Sequence, residues 1–175
     1  MSNEIIVHDD SIDQELYAAI KNILLESRQK AYKAVSSAML GAYWDIGCII
    51  VEHEQNGDDK AKYGKKVLEI LSERLTSEFG KGFDVRNLRN MRSFYLTFPN
   101  RNALRTDLTW THYRALLRVK SEEARNWYIE EASKGQWSSR QLDRQISTLY
   151  YERLLGSQAK DGVIAEANTN MSKLA

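Results

Sequence analysis

Apolar residues recur at three- and four-residue spacing along most of this chain, and no segment sustains the period-two alternation of a half-buried strand. That pattern predicts an all-α, multi-helix domain with long N-terminal helices. From Ser11 onward Ile12, Leu16, Ala19, Ile20, Ile23 and Leu24 mark one stripe. Ala31, Val35, Ala38, Met39, Ala42, Tyr43, Ile46 and Ile50 mark a second, which ends near Asn56-Gly57. No proline and no turn cluster separates the two, so they read as one bent helix or a pair. A helix of that length with so wide an apolar face needs cover, from the basic part of the chain or from a second copy. Residues 1–10 show no period and read as a flexible arm.

Within the second stripe, Tyr43-Trp44-Asp45-Ile46-Gly47 reads as an aromatic packing point against a crossing helix. Glycine inside a helix costs about 1 kcal/mol relative to alanine, so close packing is the expected reason for Gly47. Lys60 to Phe79 follows as a helix with Val67, Leu68, Leu71, Leu75 and Phe79 inward. Lys62, Lys65 and Lys66 crowd its first turn, which is unfavourable for the helix dipole and suits an anionic partner.

Gly80 to Pro99 reads as a glycine turn, an Asp84 N-cap and a helix that stops before Pro99. Leu88, Met91, Tyr95 and Phe98 share one face, with Phe94 at its border; Arg86, Arg89, Asn90, Ser93 and Thr97 share the other. With the preceding helix this outlines a helix-turn-helix-like unit. Thr109 caps a short helix, Trp110 to Val119, and Ser121 caps Glu122 to Lys134. Gly135 then breaks the chain and Ser138 caps Ser139 to Leu155, with Leu142, Ile146, Leu149 and Tyr150 inward and Arg140, Arg144, Ser147 and Tyr151 outward. The arrangement repeats: helix, glycine turn, capped helix with arginines outward. Residues 156–175 are small and polar and read as a linker or disordered tail after a domain spanning 11–155.

Charge is divided along the chain. Residues 1–59 carry 4 Lys and Arg against 11 Asp and Glu, whereas residues 60–155 carry 19 against 11. Such asymmetry points to a polyanion on the basic side, or to attraction between the halves. The single cysteine, Cys48, excludes an internal disulfide. The acidic N-terminus is unlike a signal peptide, and no apolar run approaches the roughly 20 residues of a membrane span, so a cytoplasmic protein without a membrane partner is expected.

No catalytic, cofactor or metal site is expected. His8, His53 and His112 are scattered and fit no ligand spacing. Cys48 lies in the apolar stripe between Ile46 and Ile49, where a structural thiol is expected. Walker loops, dinucleotide fingerprints and nucleophile elbows are missing from the sequence.

Three strings, YWDIG, YGKKVLEILSERLTSEFGKGFDVRNLRNMRSFYLTFP and LTWTHYRALLRVKSEEARNWYIEEASKGQWSSRQLDRQISTLYYERLL, resemble the N-terminal helical domain of bacterial YhcG-type proteins, from about Leu16 to Leu155. Leu108 through Ile146 is also faintly similar to the helical DNA-binding region of ParB-type partition proteins. In the YhcG-type family the helical domain precedes a nuclease domain of PDDEXK type. The resemblance therefore implies a non-catalytic DNA-binding or targeting module. On that reading Arg86, Arg89, Asn90, Ser93, Arg140 and Arg144 meet the groove or its phosphates, and Lys62, Lys65 and Lys66 contact phosphates. The rival is a protein-interaction module, a homodimer through the long N-terminal helices.

Overall fold

The computed structural model describes residues 10–55, 62–157 and 160–174. Among them are α1 (Asp10–Gln55), α2 (Lys62–Phe79), α3 (Val85–Thr97), a 3-10 turn (Arg101–Ala103), α4 (Trp110–Leu116), α5 (Glu122–Lys134), α6 (Ser139–Ser147), α7 (Tyr150–Gly156) and α8 (Lys160–Ser172), and no strand. The all-α expectation holds, and the two N-terminal stripes belong to one 46-residue helix. The arm expected before it lies outside the described residues. The chain divides into two units, residues 1–35 and 36–175.

In the first unit α1 presents Leu16, Ile20, Ile23 and Leu24 exposed. In the second unit the same helix begins at Ser36 and is packed. Leu40, Ile50 and Val51 are buried, and Asp45 pairs with Arg101 at 3.0 Å. Contrary to the sequence expectation, α1 contains a window long and apolar enough to cross a membrane by length and composition. Isolated polar residues such as Asp45 interrupt the run, but the apolar residues around them keep its average high.

Gly47 supplies the reason anticipated for it. A Cβ there would stand 2.1 Å from the Met91 carbonyl oxygen, so the main chains of α1 and α3 touch. Beside it Trp44 Nε1–H donates to the Phe98 carbonyl at 2.7 Å and its ring meets Tyr95 edge-on at 4.9 Å. Phe94, read from the sequence as a border residue, is fully buried. It touches the rings of Phe98, Trp110 and Tyr113 at 5.0 to 5.5 Å between centroids. Leu88, Met91, Ile50 and Leu68 form an adjoining cluster between α1, α2 and α3. Phe79 departs from its expected inward place: it is 62% exposed and touches only the edge of Phe83 among the described rings.

Two buried tyrosines fasten the connections. Tyr113 O–H accepts from the Arg105 amide at 2.8 Å, and Tyr128 O–H accepts from the Tyr151 amide at 3.1 Å and donates to the Gln145 carbonyl at 3.2 Å. Burial pushes both phenols up to about 12.

The last expected helix is shorter than the sequence suggested. α6 ends at Ser147, Thr148 Oγ1–H donates back to the Arg144 carbonyl at 3.0 Å, and Leu149 takes a left-handed φ of 53°. The turn rotates the following residues. Leu149, expected inward, is 57% exposed, and Tyr151, expected outward, packs on Trp127 at 5.4 Å. The expected tail also differs, because it contains α8, with Ala167 buried in the main core and Val163 and Met171 beside it. Gln141 Nε2 donates to the Met171 carbonyl at 3.1 Å, and Arg153 pairs with Glu166 at 3.2 Å.

Candidate functional site

Local sequence rules place the groove-forming helices. Gly80 and Gly82 turn the chain at φ 81° and 121°, and Asp84 then caps α3 by accepting the Asn87 amide at 3.0 Å. Buried Asn87 joins three elements: its Nδ2 donates to the Gly82 carbonyl, and its Oδ1 accepts from Trp110 Nε1 at 3.2 Å. The turn, α3 and α4 are thereby held in one register.

α4 is fixed to the turn that leads into α6 through a histidine. His112 Nδ1 accepts from the Thr109 amide at 3.1 Å, which leaves Nε2–H to donate to the Trp137 carbonyl at 2.9 Å. The side chain is a structural tie, which agrees with its lack of any ligand spacing. Ser138 opens α6 with a capping box, its Oγ accepting the Gln141 amide at 3.3 Å and its own amide donating to Gln141 Oε1 at 2.7 Å.

Between α3, α4 and α6 these ties leave an open concavity of about 500 Å³. α3 lines it with Arg86, Asn90 and Ser93, α4 and the residues just after it with Thr111, Arg114 and Arg118, and α6 with Ser139, Arg140 and Asp143. Four guanidinium groups against one carboxylate make it strongly cationic. Arg118 is ion-paired with Asp143. Among the described residues no carboxylate pairs with Arg86, Arg114 or Arg140.

Several arginines elsewhere in the fold are instead tied to internal acceptors. Arg92 bonds Glu54 at 2.6 Å, Arg101 bonds Asp45, Arg105 bonds Glu130 at 2.9 Å, and Arg125 donates to the Val119 carbonyl at 2.9 Å. Those arginines have internal acceptors, whereas among the described residues Arg86, Arg114 and Arg140 on the concavity have no carboxylate partner. With Asn90 and three hydroxyls interleaved, the surface is suited to receive the oxygens of a polyanion.

Of the residues singled out in the sequence, Arg86, Asn90, Ser93 and Arg140 come together here. Arg89 and Arg144 are exposed on the same two helices but do not line the concavity, and Lys66, exposed on α2, does not either. The side chains of Lys62 and Lys65 lie outside the described ones. Sequence reasoning missed Thr111, Arg114 and Arg118. Their spacing of three and four residues carried the signal, because it puts them on one face of the expected Trp110 to Val119 helix.

Among the described residues no group of three or more His, Cys, Asp or Glu side chains could hold a metal ion. Cys48 is half-buried, its Sγ–H faces Glu52 at 3.4 Å, and desolvation raises its pKa, the opposite of an activated thiol.

Comparison with known proteins places the domain. The chain is 32% identical over 185 aligned positions to the Escherichia coli K12 protein named "Putative nuclease YhcG", an alignment covering 87% of this chain and 49% of that relative. It therefore spans about half the length of the curated relative it matches. No solved structure matches it. Residues 19–153 match the family model described as the DUF1016 N-terminal domain, and with most of its length so matched the chain belongs to that family, the helical domain it shares with YhcG.

Proposed function

We propose that this domain binds nucleic acid, duplex DNA in the first place, through the arginine-lined concavity, and that it targets a nuclease to its substrate. One observation carries the reading: Arg86, Arg114 and Arg140, from three different helical segments, converge on one surface without internal carboxylate partners. An arginine fork is built to hold two phosphate oxygens at once, and three forks on a concave face suit successive phosphates better than one small anion. Asn90 and the hydroxyls of Ser93, Thr111 and Ser139 supply shorter-range hydrogen bonds between them.

On this reading α3 and α6, each entered through a glycine turn and a capped first residue, act as the reading helices of two helix-turn-helix-like units. Arg89 and Arg144 widen the footprint along the same helices, and Lys62, Lys65 and Lys66 add phosphate contacts from the start of α2. The domain is itself non-catalytic. Cleavage belongs to a separate domain, which fits a relative that is named a nuclease and is about twice as long as the part matched here.

Fluorescence anisotropy of a labelled duplex at several salt concentrations tests the proposal. Affinity is expected to fall with salt at a log-log slope of about 0.9 per phosphate contact. Arg86→Glu, Arg114→Glu and Arg140→Glu should each weaken binding, and Asp143→Asn, which releases Arg118, should strengthen it. Single-stranded DNA and RNA as competitors rank the substrate classes. Unchanged affinity in a folded triple charge-reversal variant would overturn the assignment.

A further inference from the structure

The nucleic-acid reading makes no use of the first unit of the chain. There α1 exposes Leu16, Ile20, Ile23 and Leu24, each between 49% and 63% accessible, on consecutive turns of one helix. Single exposed leucines need no explanation, but a contiguous apolar stripe on a helix marks a surface that is covered in the working molecule. We infer that this stripe pairs with the same stripe of a second copy, and that the two helices run antiparallel about a dyad between Ile23 and Leu24.

Two independent patterns along residues 13–34, about 33 Å of helix, set the orientation. The first is charge. Asp13 and Glu15 stand at one end, Arg28, Lys30 and Lys33 at the other. An antiparallel pair brings Asp13 and Glu15 to the level of Lys33 of the second copy, with Glu15 and Lys33 on the same flank of the stripe. A parallel pair in register sets each charge against its own kind. The internal pair of Lys30 with Glu26, at 3.9 Å and well exposed, is too weak to compete.

Side-chain size is the second pattern. Going from Leu16 toward Val35, the stripe changes from large to small residues, with Ser27 and Ala31 in the later turns. About the proposed dyad Leu16 meets Ala31, Ile20 meets Ser27, and Ile23 meets Leu24. Large against small lets knobs enter holes in the layers on either side of the central Ile23–Leu24 pair, whereas a parallel pair would stack Leu16 on Leu16 and leave Ser27 facing Ser27.

A lipid surface fits this stretch less well. Seven charged side chains of both signs lie between residues 13 and 33, sorted by position along the helix. A helix lying on a membrane is expected to carry basic residues along one polar face.

The test is the mass of the full chain by light scattering over a range of protein concentration, with helical content followed by circular dichroism. The expected result is a dimer that Ile20→Glu with Leu24→Glu converts to monomer at unchanged helicity. Asp13→Lys with Glu15→Lys should weaken the dimer, as should Lys30→Glu with Lys33→Glu, and all four changes in one chain should restore it. In a Cys48→Ser background, a mixture of Leu16→Cys and Ala31→Cys chains should form the mixed disulfide in preference to either symmetric one. A monomer at every concentration, a symmetric Leu16→Cys crosslink in preference to the mixed one, no charge-swap rescue, or binding to lipid vesicles in place of self-association would each overturn the inference.

Discussion

The two glycine turns, one before α3 and one before α6, look alike in the sequence and work by different physics. At the first, Gly80 and Gly82 take φ values of 81° and 121°, and a Cβ at either would meet nothing within 4 Å. Space is free there, and the constraint is the backbone itself. Before α6, Gly135 sits at an ordinary φ of −82°, the left-handed residue is Gln136 at 48°, and a Cβ on Gly135 would stand 2.4 Å from Trp137 Nε1. Here the conformation is permissive and space is the constraint. One glycine is required for what the chain must do, the other for what lies beside it.

Substitution separates the two cases. Gly135→Ala is expected to have the largest effect, about 2 kcal/mol of lost stability from overpacking. Denaturant unfolding of a double-mutant cycle should show coupling of Gly135→Ala to Trp137→Phe, whereas Gly82→Ala should add to Trp137→Phe independently. If Gly82 were the residue that coupled to Trp137, the distinction would fail. Next come the caps. Asp84→Ala and Ser138→Ala should each cost about 1 kcal/mol, with Asp84 the larger because its charge also meets the positive end of α3. Raised salt should narrow that gap. The smallest effect belongs to Gly80→Asn, a few tenths of a kcal/mol, since asparagine tolerates the left-handed region. The same asparagine at Gly135 should destabilise clearly, and equal melting temperatures for the two would refute the comparison.

Much of this was legible because local chemistry dominates at helix ends. Asp84, Ser121 and Ser138 are caps where the sequence put them, and α5 runs from Glu122 to Lys134 as expected. Periodicity also found the inward face of α3, except that Phe94 is central because α4 packs over it, which no local rule states. The break after Ser147 was hidden, since Leu149 and Tyr150 extend the apolar period of α6; Tyr150 is buried as expected, and the left-handed turn at Leu149 puts that residue outside the core. α8 was missed for the reverse reason. Its core contacts, Val163, Ala167 and Met171, keep a four-residue spacing, yet two of the three are modest in size among polar neighbours.

The candidate site was half legible. Arginines on α3 and α6 stood out by their faces, but the concavity exists because Asn87 and His112 tie α4 between those helices. Both are buried polar residues with one local partner and one more than twenty positions away, and the distant bond that joins the elements has no local signature. Arg114 was visible as a residue and invisible as a neighbour of Arg86 and Arg140.

Gly47 has one further consequence. Because α1 and α3 meet main chain to main chain, the distance between them is set by peptide geometry and not by the bulk of any side chain. Core substitutions elsewhere can change how firmly the two helices hold together, but they have little leverage on how far apart they stand. The helix that carries Arg86, Asn90 and Ser93 is thus gauged against a fixed stop. Drift in the surrounding sequence can erode the stability of this fold long before it alters the placement of that face.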